Sequence, residues 1–412
     1  MRRLIVFSLT LSACAPFSKS DCARLAEELE RCDLPPAEIL CEALGERAQR
    51  FLRAKMEESS CQALVSEDPG DLDISLCEAL GWPCPGPLFG PPPKISTHYP
   101  LVFVSGIDDH AVLDWSPRIL SEVAQAGPHQ VEHLKLTPWS VPEVRAADLA
   151  QGLEWLAAGD PQQKFNLICY AVAGIDCRYL VSPGGLYHDD PGKLAQAQAR
   201  VASITTISTP HRGTRVANEG LDLDKNVVAE VLRALRGGDF LKSDPDGSAE
   251  PPTDTAVEVS LSRLTPKSMA AFNQVVTDPP GILIQSYAGL SHIFGQPFVP
   301  SEADLKSACA GPEGELLLAR QANTYDVMSE LFLATAPFSS DREEDDLGAV
   351  LRPTDGMVSV HSARWGNFRG CIPADHYDVI GQIADRGPDV NSGFDAAVFY
   401  GHLAADLARR GF

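Results

Sequence analysis

The chain has 412 residues, 44 % of them hydrophobic, with 56 acidic side chains against 34 basic ones and a formal charge of −22. So negative a balance excludes nucleic acid as a partner, since phosphates require a basic face. The length allows one large α/β domain plus a small appendage, and the acidity reads as a solubility feature of an exported protein.

Met1-Arg2-Arg3, the apolar run from Leu4 to Leu11 and the sequence Leu11-Ser12-Ala13-Cys14 read as a bacterial secretion signal ending in a lipobox. The run is shorter than the roughly 20 apolar residues a membrane span needs. Residues 1–14 are therefore expected to be signal, with Cys14 acylated and the protein tethered to a membrane by that N-terminal lipid anchor. A plain secretory signal is the alternative. Ala15, where an aspartate would favour the inner membrane, points to an exported lipoprotein of the cell envelope, at the outer membrane in a Gram-negative cell.

Residues 15–84 hold Cys22, Cys32, Cys41, Cys61, Cys77 and Cys84. An even set in so short a segment of an exported chain predicts a small disulfide-rich helical module whose connectivity stays open. Helical periodicity covers Cys22 to Cys32 and Ala37 to Met56. A stiff Pro/Gly-rich linker, residues 85–97, follows.

From His98 the pattern alternates between strands and helices, the mark of a parallel sheet covered on both faces. Strands are predicted at Leu101–Val104, Val131–Leu136, Phe165–Cys169, Val201–Ile207 and Gly281–Gly289. Between Phe165 and Leu180 a buried strand meets a helix through Cys169-Tyr170-Ala171-Val172-Ala173-Gly174. Such a turn strains its central residue and tolerates only small neighbours. Cys169, Ala171 and Ala173 fit that shape, and they stand where Gly-x-Ser-x-Gly would place a nucleophile.

Three phrases share the order and spacing of the bacterial true lipases: His98-Tyr99-Pro100-Leu101-Val102-Phe103-Val104-Ser105-Gly106-Ile107, the Ala171 turn, and Ser203-Ile204-Thr205-Thr206-Ile207-Ser208-Thr209-Pro210-His211-Arg212-Gly213. From His98 onward the chain resembles the bacterial triacylglycerol lipase family, with the nucleophile serine replaced by Ala171. The resemblance implies an α/β-hydrolase fold with a mostly parallel sheet over residues 98–412 and a helical lid or cap insertion at 218–277. It also implies oxyanion donors at the backbone N–H groups of Ile107 and Val172, with Ser105-Gly106 where the family has His-Gly. Pro353-Thr354-Asp355-Gly356-Met357-Val358 resembles the phrase carrying the triad acid, and Ala374-Asp375-His376-Tyr377-Asp378 the one carrying the histidine. A structural Ca2+ is implied as well, held by Asp326, Asp378, Gln382 and the carbonyl of Arg386; the alternative is that Asp378 only caps a helix. The acid run Asp341 to Asp346 is expected to be a solvated mobile loop. The family's C-terminal disulfide is not carried over as it stands, and Cys309 with Cys371 is the substitute pair. Cys169 and Cys177 are expected to pack.

A methyl group cannot attack a carbonyl. The favoured expectation is a membrane-tethered, catalytically impaired lipase-like pseudoenzyme that binds a lipid or acyl-ester ligand. Three alternatives stand beside it. One is an active lipase or carboxylesterase with a displaced nucleophile at Ser105, Tyr170 or Cys169, where misplacement of about 1 Å costs on the order of a hundredfold. Another is an engineered serine-to-alanine variant, which leaves the changed flanking glycines unexplained. The last is an envelope interaction scaffold whose protein partner the sequence does not name.

Overall fold

The computed structural model describes residues 19–31, 52–53, 56, 90–108, 110, 113–127, 129–235, 252–292, 302–310, 326–332, 334–340, 343–345, 348–350, 352–382, 388–389 and 392–412. The signal, Cys14, most of the 15–84 module and Arg386 lie outside them. The chain divides into two compact units, Met1–Cys84 and Pro85–Phe412. In the first, helix α1 (Lys19–Arg31) buries Leu25, and Arg24 donates to the carbonyl of Met56.

The second unit is built on a six-stranded parallel sheet. Its strands are β1 (Leu101–Val104), β2 (Val131–Leu134), β3 (Phe165–Tyr170), β4 (Val201–Ile207), β5 (Leu283–Leu290) and, after a short hairpin of β6 (Glu343–Asp345) and β7 (Gly348–Val350), β8 (Asn367–Pro373). They lie in the order β2-β1-β3-β4-β5-β8. Each of the five predicted strands is present, although β2 stops at Leu134, two residues early. The acid run Asp341 to Asp346 corrects an expectation, because its described part pairs antiparallel with Gly348–Val350. The strand β8 was not predicted: Arg369 and Gly370 interrupt its apolar run, and Gly370 has φ 134°.

Alternate strand residues face opposite layers. Leu101, Phe103, Ile168 and Ile207 pack with Ile119 and Val123 of α2 (Pro117–Ala126) and with Phe399, Tyr400 and Leu403 of the C-terminal helix Ala396–Arg409. Val102, Val104, Leu167 and Ile204 pack on the other face with Ala146, Leu149 and Leu153 of α3 (Pro142–Leu156) and Leu180 of α4 (Ala173–Val181). Burial on both faces explains why these strands read as unbroken apolar runs. Local signals set the helix starts: Ser116 caps α2 ahead of Pro117, and Asp395 caps the last helix through the N–H groups of Ala397 and Val398.

Beyond β4 the insertion supplies α5 (Arg215–Asp222), α6 (Lys225–Leu235), α7 (Asp254–Leu264) and α8 (Pro266–Val275). Ala217, Leu264 and Met269 from these helices pack on Val172 and Ile175. The cap therefore rests directly on the turn that carries Ala171.

Candidate functional site

The strand order reverses around β1 and β3, and in open α/β sheets ligands bind outside the carboxyl ends of the strands at such a switch point. Ile107 follows β1, Ala171 follows β3 and His376 follows β8, so these predicted residues lie at that edge.

Ala171 is the apex of the turn. Its φ is +48°, a left-handed conformation that costs a residue with a Cβ roughly 1–2 kcal/mol. The turn is held from both sides: Ala171 N–H donates to Ile207 O at 2.9 Å, and Gly174 N–H donates to Ala171 O at 3.1 Å. Gly174 must be glycine, because a Cβ there would lie 2.2 Å from Thr209 Oγ1. Cys169 and Cys177 are not merely packed, as expected, but joined in a disulfide across eight residues that include the apex. Replacing both with alanine is expected to cost about 2.5 kcal/mol of stability by the loop-closure argument. Urea unfolding of the double variant measures it, and an unchanged midpoint would show that the bridge does not hold the turn.

Asp355 and His376 are brought together. His376 Nδ1 lies 2.7 Å from Asp355 Oδ2, while Asp355 Oδ1 accepts from the N–H groups of Met357 and Val358 and His376 N–H donates to Asp355 O. Space for the acid comes from Gly289 at the end of β5, where a Cβ would meet Asp355 Cβ at 2.8 Å. The His376 ring lies between Tyr170, at 5.1 Å between centroids, and Phe332, at 6.2 Å. Among the described residues its Nε2 has no hydrogen-bond partner, and neither do the backbone N–H groups of Ile107 and Val172. Gly106 lets the first loop come close: a Cβ there would lie 2.9 Å from Tyr170 Cδ1.

Two polar clusters, both missed in the sequence, fix that loop. Arg145 of α3 donates to Gly106 O at 2.7 Å and pairs with Asp176 of α4 at 2.7 Å, tying the loop to the helix behind Ala171. Burial raises the Asp176 carboxyl to about 6 although Arg145 opposes the shift. The available signal was spacing, since Arg145 shares a helix face with Leu149 and Leu153 and so occupies a core position. In the second cluster Ser105 Oγ donates to Asp114 Oδ1 at 2.6 Å, with His133 Nε2 at 2.9 Å and Lys135 Nζ at 2.8 Å from the same carboxylate. Burial pushes Asp114 up, but His133, Lys135 and Ser105 outweigh it and hold the acid down at about 2.

The three alternative nucleophiles are thereby engaged elsewhere. Ser105 is bound to Asp114, Cys169 is in a disulfide, and Tyr170 Oη donates to His376 O at 2.8 Å. Burial raises the Tyr170 phenol well above its usual value. The Thr209–Gly213 phrase braces the wall: Arg212 donates to His361 O, and His211 Nε2 lies 2.9 Å from Thr206 Oγ1. The substitute bridge Cys309–Cys371 is present.

Below His376, carboxylate oxygens of Asp326, Asp375 and Asp378 lie within 4.8 Å of one another. Asp326 Oδ2 and Asp378 Oδ1 are buried without a hydrogen-bond partner. Burial, and then the Asp375 charge, lift Asp326 to about 8; burial lifts Asp375 to about 6 and Asp378 well above the usual range. Such a set fits a hard cation. Asp375 is the addition to the predicted ligands, whereas Gln382 uses its amide nitrogen to donate to Asp114 O. Asp378 begins a short 3-10 turn, Asp378–Ile380, rather than capping a helix, and the N–H groups of Tyr377 and Asp378 at its start donate to Asp375 Oδ1.

No family model matches the chain. In sequence it is 26 % identical over 276 residues to triacylglycerol lipase 2 of Saccharomyces cerevisiae. That match covers 65 % of this chain and 64 % of the yeast protein, so the chain spans less than two thirds of its relative's length. Among solved structures, EstA from Clostridium botulinum superposes with a TM-score of 0.50 at 15 % identity, covering 79 % of this chain and 92 % of that one. Lipase 1 from Pelosinus fermentans gives 0.49 at 17 % identity, covering 76 % and 99 %. The sheet order and the EstA superposition show an α/β-hydrolase fold. In sequence, the similarity is to a triacylglycerol lipase over about two thirds of the chain.

Proposed function

We propose that this protein is a lipase-fold pseudoenzyme that binds an acyl lipid without hydrolysing it. One observation carries the reading: Ala171 occupies the left-handed apex of the turn, beside a paired Asp355 and His376, while Ser105, Tyr170 and Cys169 are all held in other bonds. Acyl transfer needs a nucleophile in reach of its base. The N–H groups of Ile107 and Val172 can still donate to a carbonyl oxygen, and apolar cap side chains pack with these two residues. An engineered single substitution is disfavoured, because Cys169 in the flanking position is part of a disulfide.

The acid cluster supports a structural Ca2+ held by Asp326, Asp375 and Asp378, which would supply positive charge and fix the His376 segment. Acylation at Cys14 would place the protein on an envelope membrane, close to its ligand. Lipid extraction from protein purified from its native membrane, read by mass spectrometry, tests the binding reading. A stoichiometric acyl lipid is expected, and protein that purifies and remains lipid-free after incubation with lipid would contradict it.

A further inference from the structure

Residues 90–97 fall in the expected Pro/Gly-rich linker, yet they are fastened along the hydrolase unit as a strap. Pro92 lies against Gly401 of the last helix, where a Cβ would meet its ring at 2.7 Å, and Ile95 lies against Gly127, where a Cβ would meet Ile95 O at 3.0 Å. Three hydrogen bonds hold the strap down. His402 Nε2 lies 2.8 Å from Gly90 O, Thr97 N–H donates to His129 Nδ1 at 3.2 Å, and His98 N–H donates to Phe412 O at 2.6 Å. The two histidines answer protons differently. A carbonyl oxygen only accepts, so His402 donates to Gly90 in either charge state. A backbone N–H only donates, so His129 must offer Nδ1 as a lone pair and carry its hydrogen on Nε2, which is buried and has no partner among the described residues. A second proton, on Nδ1, would set two N–H groups against each other at Thr97 and charge a ring that is only 6 % exposed.

We propose that His129 is an acid-released latch: a proton taken up at Nδ1 breaks its bond with Thr97 and frees the strap Gly90–Thr97 while the sheet stays folded. Burial lowers the His129 pKa below its ordinary 6.5, and neither Lys94 and His98 of the strap, nor Glu122 of α2, Glu132 of β2 or Arg410 contributes to that shift. With the strap open the ring meets water and regains its ordinary value, so the closed strap binds fewer protons than the open one. The latch therefore holds fully above about pH 6.5 and weakens as the pH falls below it. Once free, the eight residues give the chain ahead of His98 up to roughly 26 Å of added reach. The latch is independent of the chemistry at Ala171.

Amide hydrogen exchange of the full chain at pH 8 and pH 5, read by mass spectrometry and corrected for the pH dependence of the chemical step, tests the latch. Protection of the peptide covering Lys94 to His98 is expected to fall by about tenfold at pH 5, with β3 and β4 unchanged. His129→Asn puts an amide oxygen where Nδ1 accepts and takes up no proton, so it is expected to keep the strap protected at both pH values. Equal protection of the native strap at the two pH values overturns the latch, and so does the same acid loss in His129→Asn. A matching loss in β3 and β4 assigns the effect to global unfolding and overturns it too. The native strap is read by itself, so the test does not depend on the variant folding.

Discussion

Ala171→Ser is expected to convert the protein into an esterase, with turnover of a short acyl ester at least about 10³-fold above the native chain. The substitution adds one oxygen to a residue already in the left-handed apex conformation, so it brings no new backbone strain. Asp355 already orients His376 at 2.7 Å, and the unpartnered Nε2 would accept the serine proton. The N–H groups of Ile107 and Val172 would meet the oxyanion, with Arg145 holding the first loop through Gly106 O. Release of p-nitrophenol from the butyrate ester measures the gain. An inert variant that folds normally would show that the Ser105–Ile107 loop does not present its donor to an acyl oxygen.

Calcium is expected to raise the melting temperature by about 4 °C at a hundredfold excess over its dissociation constant, from about 2.7 kcal/mol of linkage. The rise should grow with pH. Asp326 is lifted from 3.8 to about 8 and Asp375 from 3.8 to about 6, so the folded chain without metal keeps protons that the unfolded chain releases. That difference is absent below about pH 4, where both states are protonated, and it removes stability as pH rises towards 8. A cation lets the carboxylates ionise in place and returns that stability. Thermal melts with calcium and with EDTA at pH 5 and pH 8 check this. An equal or larger calcium effect at pH 5, or Asp326→Asn abolishing no part of the shift, would contradict the site.

The sequence disclosed those parts of the fold that local chemistry specifies. Leu101–Val104 and Val201–Ile207 are buried on both faces and so read as continuous apolar runs, and the Ala171 turn announced itself through small residues at fixed spacing. The strand β8 did not, since Arg369 and Gly370 interrupt it and its place comes from pairing with β5, far away in the chain. The same reason hid the site's supports. Arg145 with Asp176, and Ser105 with Asp114 and His133, are contacts between segments that only the fold brings together. Cys169 with Cys177 was within local reach, but a cysteine in a strand reads equally as a small core residue. Asp375 was overshadowed by its neighbour His376; its carboxylate accepts from the Ser329 N–H, on a segment 46 residues away.

The native chain is expected to carry no nucleophile at the Ala171 turn. Intact-mass spectrometry of the native protein after exposure to a fluorophosphonate, alongside assays with p-nitrophenyl butyrate and palmitate, tests it most directly. An unshifted mass and no release of p-nitrophenol above the uncatalysed rate are the expected results. A stoichiometric phosphonyl adduct, or turnover abolished by His376→Ala, would contradict the account.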